Sequence, residues 1–339
     1  MSRKNNITDT LKVALIGVGG MAQGHIGKLL TLPEVSVAAF ADTSEKSLER
    51  TRQCHGEKVA DIPTFNNHQA MLAAIKPDAV VICTPHTLHF PHAMDCLSAD
   101  CHVLLEKPMV NKVSEAHALI QKIEETKKIL GLGYQRHALP HFRYIKAKIA
   151  SGEFGQVQFI TALQQQGWAK GTVGSWRQEP ALSGGGQIND SGSHLLDIVL
   201  WTTGLAPKEV AAFMDNRGTP VDINSALSIK FTSGAQGNIS VIGDAAGWYE
   251  DITIWCDAGT FYVRNDGTFR VQGTDGKTTT PELSEMPEGS DVITNFVQSI
   301  LGNQEIAAAP INGLRTIELT EAAWESAAAG GRVTSVKWS

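Results

Sequence analysis

In the second half of the chain, Asp190-Ser191-Gly192-Ser193-His194 sets a carboxylate and an imidazole four residues apart, with Asp197 three further on. In the first half, Glu106-Lys107-Pro108 sets a lysine directly after the apolar run Val103-Leu104-Leu105. An unperturbed histidine titrates at about 6.5, so it suits proton exchange with a secondary alcohol near neutral pH. A carboxylate beside it favours the imidazolium and orients a substrate. A lysine partly buried beside a cationic ring has a lowered pKa, and its charge stabilises an alkoxide. If the helix that carries His194 already includes Asp190, the side chains of Asp190, His194 and Asp197 project from one face. Each group also has a plainer reading. The pair would then be a helix N-terminus with an acidic residue and a satisfied histidine, and the lysine a solvated charge.

Upstream, Gly17-Val18-Gly19-Gly20-Met21-Ala22 follows an apolar strand. The first glycine permits a tight turn, Gly19 lets the backbone approach a pyrophosphate, and Ala22 keeps the next helix close to the sheet. The start of that helix favours an anion. Asp42 closes a second strand about twenty-five residues on, near the spacing of a carboxylate that holds ribose hydroxyls. It would repel a 2′-phosphate, so NAD is expected over NADP, with Lys46 and Arg50 close enough in sequence to soften the preference. Thr84-Pro85 ends a later strand at its carboxyl edge, and His89 starts the helix after it. Tyr134-Gln135-Arg136-His137 falls where two domains would meet and form a cleft, which makes Tyr134 and Arg136 candidate substrate residues. Trp168, Trp176 and Trp248 are stacking candidates, and Arg177 could reach a cofactor phosphate. Ser183-Gly184-Gly185-Gly186 implies a loop that passes close to another group, a substrate being one candidate.

These residues need a scaffold that gathers them. Leu11–Ile16, Ser36–Ala41, Asp78–Cys83, His102–Glu106 and Ile129–Leu132 read as strands apolar on both faces, alternating with stretches of helical spacing. Such alternation predicts a doubly wound parallel sheet over residues 1–133. Residues 134–339 read differently, with a helix near Leu139–Ala150, a strand from Gln156 to Gln165 and a helix from about Ser193 to Thr203. Strands joined by short turns follow between Glu209 and Val271, and two late helices near Val292–Leu301 and Leu314–Ala329 end the chain. This predicts an α+β domain with an antiparallel meander.

Composition narrows the partners. The 339 residues, 42% apolar and 19% charged, suffice for a large core. A formal charge of −6 argues against nucleic acid or an anionic membrane surface. The five cysteines are odd in number and lack CxxC spacing, so no metal centre is expected and a reducing compartment is. The polar start of the chain has no signal-like apolar core, and a cytoplasmic protein is expected.

In this order the motifs resemble the glucose–fructose oxidoreductase / inositol dehydrogenase / rhizopine catabolism (Gfo/Idh/MocA) family of NAD(P)-dependent oxidoreductases. The resemblance runs from about Leu11 onward and includes Ser151-Gly152-Glu153-Phe154-Gly155 and Glu325-Ser326-Ala327. It implies a Rossmann domain followed by a large open, predominantly antiparallel sheet. One face of that sheet would line the active site and the other would pack against a partner subunit in a homo-oligomer. It places Gly17, Gly19, Gly20, Met21 and Ala22 at the diphosphate and Asp42 at the adenosine ribose. Thr84, Pro85, His89, Glu106 and Lys107 fall on the nicotinamide side, with Trp176 and Arg177 also touching the cofactor. It makes His194 the proton-transfer residue, Asp190 its substrate-positioning neighbour, and Lys107 a contact of both nicotinamide and substrate. The implied activity is hydride exchange between the nicotinamide and a secondary hydroxyl or ketone of a sugar, inositol or polyol. The alternatives are a glycosidase that oxidises a ring hydroxyl transiently, and a cofactor-binding regulator without turnover.

Overall fold

A computed structural model describes residues 10–338. The first sheet has six parallel strands: β1 (Leu11–Ile16), β2 (Val35–Ala41), β3 (Thr64–Phe65), β4 (Ala79–Ile82), β5 (His102–Leu105) and β6 (Leu130–Leu132). Their spatial order is β3-β2-β1-β4-β5-β6. Helices α1 (Ala22–Leu29), α2 (Glu45–His55), α3 (His68–Ile75), α4 (His89–Ser98) and α5 (Val113–Thr126) connect them. Every residue of β4 is buried, as a strand covered on both faces requires. The order reverses between β1 and β4, and the carboxyl ends of these two strands form the crevice where open α/β sheets bind ligands. The two-residue β3 is the strand that sequence periodicity did not show, because it is too short to carry one.

The chain then forms α6 (Pro140–Ala150), β7 (Val157–Gln165), two single-turn helices α7 (Trp168–Gly171) and α8 (Pro180–Ser183), and α9 (Gly192–Thr203). Strands β8 (Pro207–Asp215), β9 (Asn224–Phe231), β10 (Gln236–Ile242), β11 (Tyr249–Cys256), β12 (Gly259–Arg264), β13 (Phe269–Gly273) and β14 (Thr278–Thr279) follow. Helices α10 (Val292–Ile300) and α11 (Pro310–Ala328) and a short β15 (Thr334–Ser335) complete the described chain. The nine-stranded second sheet is mixed rather than a pure meander. Strand β7 lies between β10 and β11, parallel to the first and antiparallel to the second. Alternating burial along β7 marks one face as covered, but period alone does not reveal the partner strand.

One face of this sheet packs against α6, α9 and α11 in a large apolar cluster that includes Ile160, Ile252, Leu195 and Leu319. Packing does not divide at residue 133. Helix α10 returns to the first sheet, where Ile293, Phe296 and Val297 join Leu11, Val13 and Leu15. Helix α11 serves both units: Leu314 and Ile317 enter the core of the first sheet, Leu319, Ala322 and Ala323 that of the second. Among the described residues, no helix is long and apolar enough to cross a membrane.

The glycine run before α9 meets protein rather than substrate. A Cβ on Gly184 would collide with the Asn111 side chain, on Gly185 with the Trp324 ring, and on Gly186 with the Asp222 backbone. We therefore expect Gly186→Ala to lower the unfolding free energy by about 3 kcal/mol, the scale of an overpacked core. Gly24→Ala, at an exposed helical position with nothing nearby, should raise it by about 0.5–1 kcal/mol. Urea denaturation of both variants checks the pair of signs.

Candidate active site

The loop that follows β1 turns at Gly17, whose φ of 80° suits glycine and whose Cβ would lie 2.8 Å from the Cys83 backbone. Gly19 has nothing within 4 Å of such a Cβ, so its backbone is open to a ligand. The Gln23 side chain donates to the carbonyls of Val18 and Gly19, at 2.7 and 3.2 Å, and so braces the loop. Asp42 accepts from the N–H of Val18 at 2.9 Å and from that of Ser44 at 2.8 Å, and so joins the ends of β1 and β2. Gly17, Gly19, Asp42, Thr84, Pro85 and Trp176 all line one cavity of about 480 Å³ at the carboxyl edge of the first sheet. A glycine cradle at one end, a carboxylate by a second strand and an aromatic wall fit a dinucleotide. When bound, such a cofactor accepts or returns a hydride.

Beyond this cavity, the site is organised around the Asp190 carboxylate, which is 4% exposed. Lys107 Nζ donates to Oδ1 at 2.7 Å, and Trp168 Nε1 and Arg177 Nε each donate to Oδ2 at 2.8 Å. His86 Nε2 lies 3.5 Å from Oδ1. Burial alone would raise the pKa of Asp190, but the Lys107 charge, helped by His86 and Arg177, holds it well below the carboxylate range. Asp222 fixes the turn that presents Asp190: its carboxylate accepts from the N–H groups of Gly186 and Ile188, each at 3.0 Å. Asp190 itself precedes α9, which begins at Gly192. The expected single face of Asp190, His194 and Asp197 therefore does not form, and Asp197 instead bonds His137 Nε2 at 2.8 Å.

The expectation that Asp190 favours an imidazolium at His194 is likewise corrected. Both Asp190 oxygens are held by other donors, and the His194 imidazole makes no hydrogen bond to a described residue, its Nδ1 being buried without a partner. Burial, then the charges of Lys107 and Arg136, outweigh Asp190 and hold the His194 pKa well below its usual value. The imidazole is neutral at pH 7, the form that accepts a proton.

Other sequence candidates fall into different places. Glu106 is 11% exposed, with Oε1 2.8 Å from His25 Nε2 and Oε2 accepting from the Lys107 N–H at 3.1 Å, a contact that orients the Lys107 backbone. His89 is 1% exposed, with Nδ1 2.7 Å from the Pro108 carbonyl and Nε2 3.0 Å from that of Thr84. Burial, then the nearby His86, lower its pKa to about 3, so the ring is neutral and its single N–H donates to one of these two carbonyls. Tyr134 is 1% exposed, with its ring edge-on to that of His194 at 5.8 Å and its hydroxyl buried. Burial raises its pKa further from the working range. Arg136 pairs with Glu250 at 2.7 Å. Arg177 stacks over Trp176 at 4.5 Å while its Nε bonds Asp190, and its side chain remains 33% exposed. Trp168 enters as a hydrogen-bond donor, and Trp248 is 58% exposed. Met21 is exposed at the start of α1.

His86, His25, Gln164 and Glu250 were not singled out in the sequence. His86 had a signal, standing two residues past Thr84 in the same motif; for Gln164 and Glu250 it was a polar residue at the buried end of an otherwise apolar strand stripe. His86 Nδ1 contacts the Ser183 carbonyl at 3.1 Å, and Thr87 Oγ1 donates to the Ala181 carbonyl at 3.0 Å. Together they tie the α7–α8 segment across the cofactor cleft.

The chain is similar to known proteins. The family model "Oxidoreductase family, NAD-binding Rossmann fold" matches residues 11–134, and "GFO/IDH/MocA C-terminal domain" matches residues 142–279. The chain is 28% identical over 209 residues to D-glucoside 3-dehydrogenase of Escherichia coli, covering 60% of this chain and 57% of that one. It is 25% identical over 333 residues to inositol 2-dehydrogenase of Rhizobium meliloti, covering 94% and 97%. The matched region thus spans little more than half of the first of these curated relatives but nearly all of the second. A crystal structure of the WlbA dehydrogenase from Bordetella pertussis, in complex with NADH and UDP-GlcNAcA, superposes with a TM-score of 0.85 at 22% identity, over 97% of this chain and all of that one. The two family models cover most of the described residues in the order the fold requires, and the chain belongs to the Gfo/Idh/MocA family of NAD-binding oxidoreductases.

Proposed function

We propose that this chain is an NAD-dependent dehydrogenase that acts on a secondary hydroxyl of a sugar, inositol or related polyol. The observation that carries the reading is a neutral His194 imidazole, free of protein hydrogen bonds, beside the Lys107–Asp190 ion pair at the end of the cofactor cleft. His194 takes the hydroxyl proton as the carbon loses its hydride. The Lys107 ammonium, held by Asp190, stabilises the negative charge that develops on oxygen. Asp190 also gathers Arg177 and Trp168, which narrows the space around the reacting carbon. Two whole-length features support the reading: the complete Lys107, Asp190, His194 set and the 97% coverage of inositol 2-dehydrogenase. The free state of all five cysteines supports work in a reducing compartment.

Incubation with NAD and a panel of polyols, free sugars and aryl glycosides tests this. NADH should form in proportion to oxidised polyol or sugar; aglycone release without NADH would instead establish the transient-oxidation glycosidase. His194→Ala should lose on the order of a hundredfold in turnover, the scale of a general base, with NAD affinity little changed. Because the folded-state pKa of His194 is depressed, protonation removes the base only at pH well below 6.5. The acid limb of kcat/KM for oxidation should therefore lie below that value, and a limb at or above 6.5 would contradict the assignment.

Cofactor choice follows from Asp42. Its carboxylate lines the cleft beside Thr43 and Ser44 and would repel a 2′-phosphate. Isothermal titration should show NAD bound more tightly than NADP, with the difference reduced in Asp42→Ala.

The uncovered face of the second sheet supports a homo-oligomer. Across it Ala211, Ser228, Asn238, Thr161, Thr253 and Tyr262 stand side by side on adjacent strands, a flat row of mostly small side chains. We expect sedimentation velocity to show a dimer or tetramer, and Ser228→Arg to shift it to smaller species without loss of NAD binding.

A further inference from the structure

The covered face of the second sheet is apolar along most of its length and turns polar at one end. On β7 the inward residues run Ile160, Ala162, Gln164, and on β11 they run Ile254, Ile252, Glu250. Gln164 and Glu250 are directly opposite each other, and Val241 of β10 flanks Gln164 on the other side. A Cβ on Gly192, the first residue of α9, would sit 3.2 Å from Val241. The polar row therefore lies below the turn of α9 that carries His194. Arg136, whose charge acts on His194, reaches the same row.

Hydrogen bonding in this row is incomplete. Glu250 is 6% exposed and Gln164 fully buried. Arg136 Nη2 donates to Glu250 Oε2 at 2.7 Å, and Gln164 Nε2 donates to the same oxygen at 3.2 Å. Glu250 Oε1 accepts from no described residue, and Arg136 Nη1 is buried without a partner. A buried ion pair is a poor way to gain stability, because desolvation offsets the attraction, and unmade hydrogen bonds make it poorer. Apolar residues would serve a core better here, as they do two and four positions further along both strands. Arg136 Nη1 is sealed, but Glu250 Oε1 is not, and an unpartnered carboxylate oxygen matches a group that donates, which a hydroxyl does. A carboxylate or phosphate would instead meet the free Glu250 oxygen, with Arg136 already neutralised.

We propose that Glu250, held by Arg136 and Gln164, binds a second hydroxyl of the substrate, and that the substrate is an uncharged polyol or sugar rather than an acidic one. This rests on the dehydrogenase reading given above.

The test uses the full-length protein with NAD and paired probes: D-glucose with D-glucuronate, and myo-inositol as a second neutral polyol. NADH formation gives KM and kcat, and titration of each probe into the NADH-loaded protein gives affinity without turnover. The neutral member should exceed its uronate in kcat/KM by at least about tenfold. Glu250→Gln should raise KM and weaken probe binding by about tenfold to a hundredfold, the loss of one hydrogen bond to a charged acceptor. It should leave kcat within a few-fold and NAD affinity unchanged, narrow the neutral-to-uronate ratio, and lower the thermal midpoint, because Arg136 loses its buried partner. Glu250→Asp, which keeps the charge but withdraws the oxygen, should weaken binding too while keeping the ratio. Preference for the uronate, or an unchanged KM in Glu250→Gln, overturns the proposal. So does a loss of NAD affinity in both variants, which would make the row scaffold only. Failure of the parent reading looks different: no probe yields NADH, and His194→Ala behaves as wild type.

Discussion

A buried carboxylate must be neutralised, and the way Asp190 is neutralised determines the rest of the site. It stands on a turn of the second unit, yet its nearest cation, Lys107, comes from the loop after β5 in the first. Withdrawn from water, the Asp190 charge is tolerable only with its donors in place, so the two units are held in one relative position near the reacting groups. Trp168 and Arg177 complete its shell from the segment that crosses the cofactor cleft. One side chain thus couples the cofactor cleft, the segment over it and the reaction centre. With Asp190 so occupied, His194 is left without a carboxylate partner, and that is why its imidazole is neutral rather than half of an ion pair.

The scaffold behind this arrangement is overdetermined. Asp222 pins the turn before α9 by two backbone N–H groups, and Trp324 of α11 donates to the same carboxylate at 3.2 Å. Asn189 donates to Asn111 at 2.7 Å, a second link between the units next to Asp190. Helix α11 contributes to both cores, so a shear between the sheets would expose apolar surface on one side or the other. Glu106 and His25 do for Lys107 what Asp222 does for Asp190: they fix the backbone that carries it.

Histidine chemistry in this chain depends on placement more than on residue type. His86, His89 and His194 all have lowered pKa values, burial being the largest cause in each. His89 is closed between two carbonyls, whereas the His194 imidazole has no protein partner and faces Lys107 and Arg136. Only the second arrangement leaves a ring nitrogen for a substrate.

By itself the sequence determined the alternation of strands and helices in the first unit, the glycine loop, Asp42 at the end of β2, and the short motifs that carry Lys107, Asp190 and His194. These are local signals: periodicity, a turn that needs positive φ at Gly17, and short motifs at strand ends. It did not determine who neutralises whom. Asp190 and His194 are four residues apart, which suggests a pair, but the chain starts its helix only at Gly192 and turns Asp190 towards Lys107, 83 residues away. Glu106, His89 and Tyr134 sit inside or beside recognisable motifs, and only the packed structure shows their polar atoms enclosed among neighbours. The insertion of β7 between β10 and β11, and with it the meeting of Gln164, Glu250 and Arg136, was equally out of reach. Strand pairing and ion pairing join residues distant in sequence, and a linear pattern records which face a side chain occupies but not what stands opposite it.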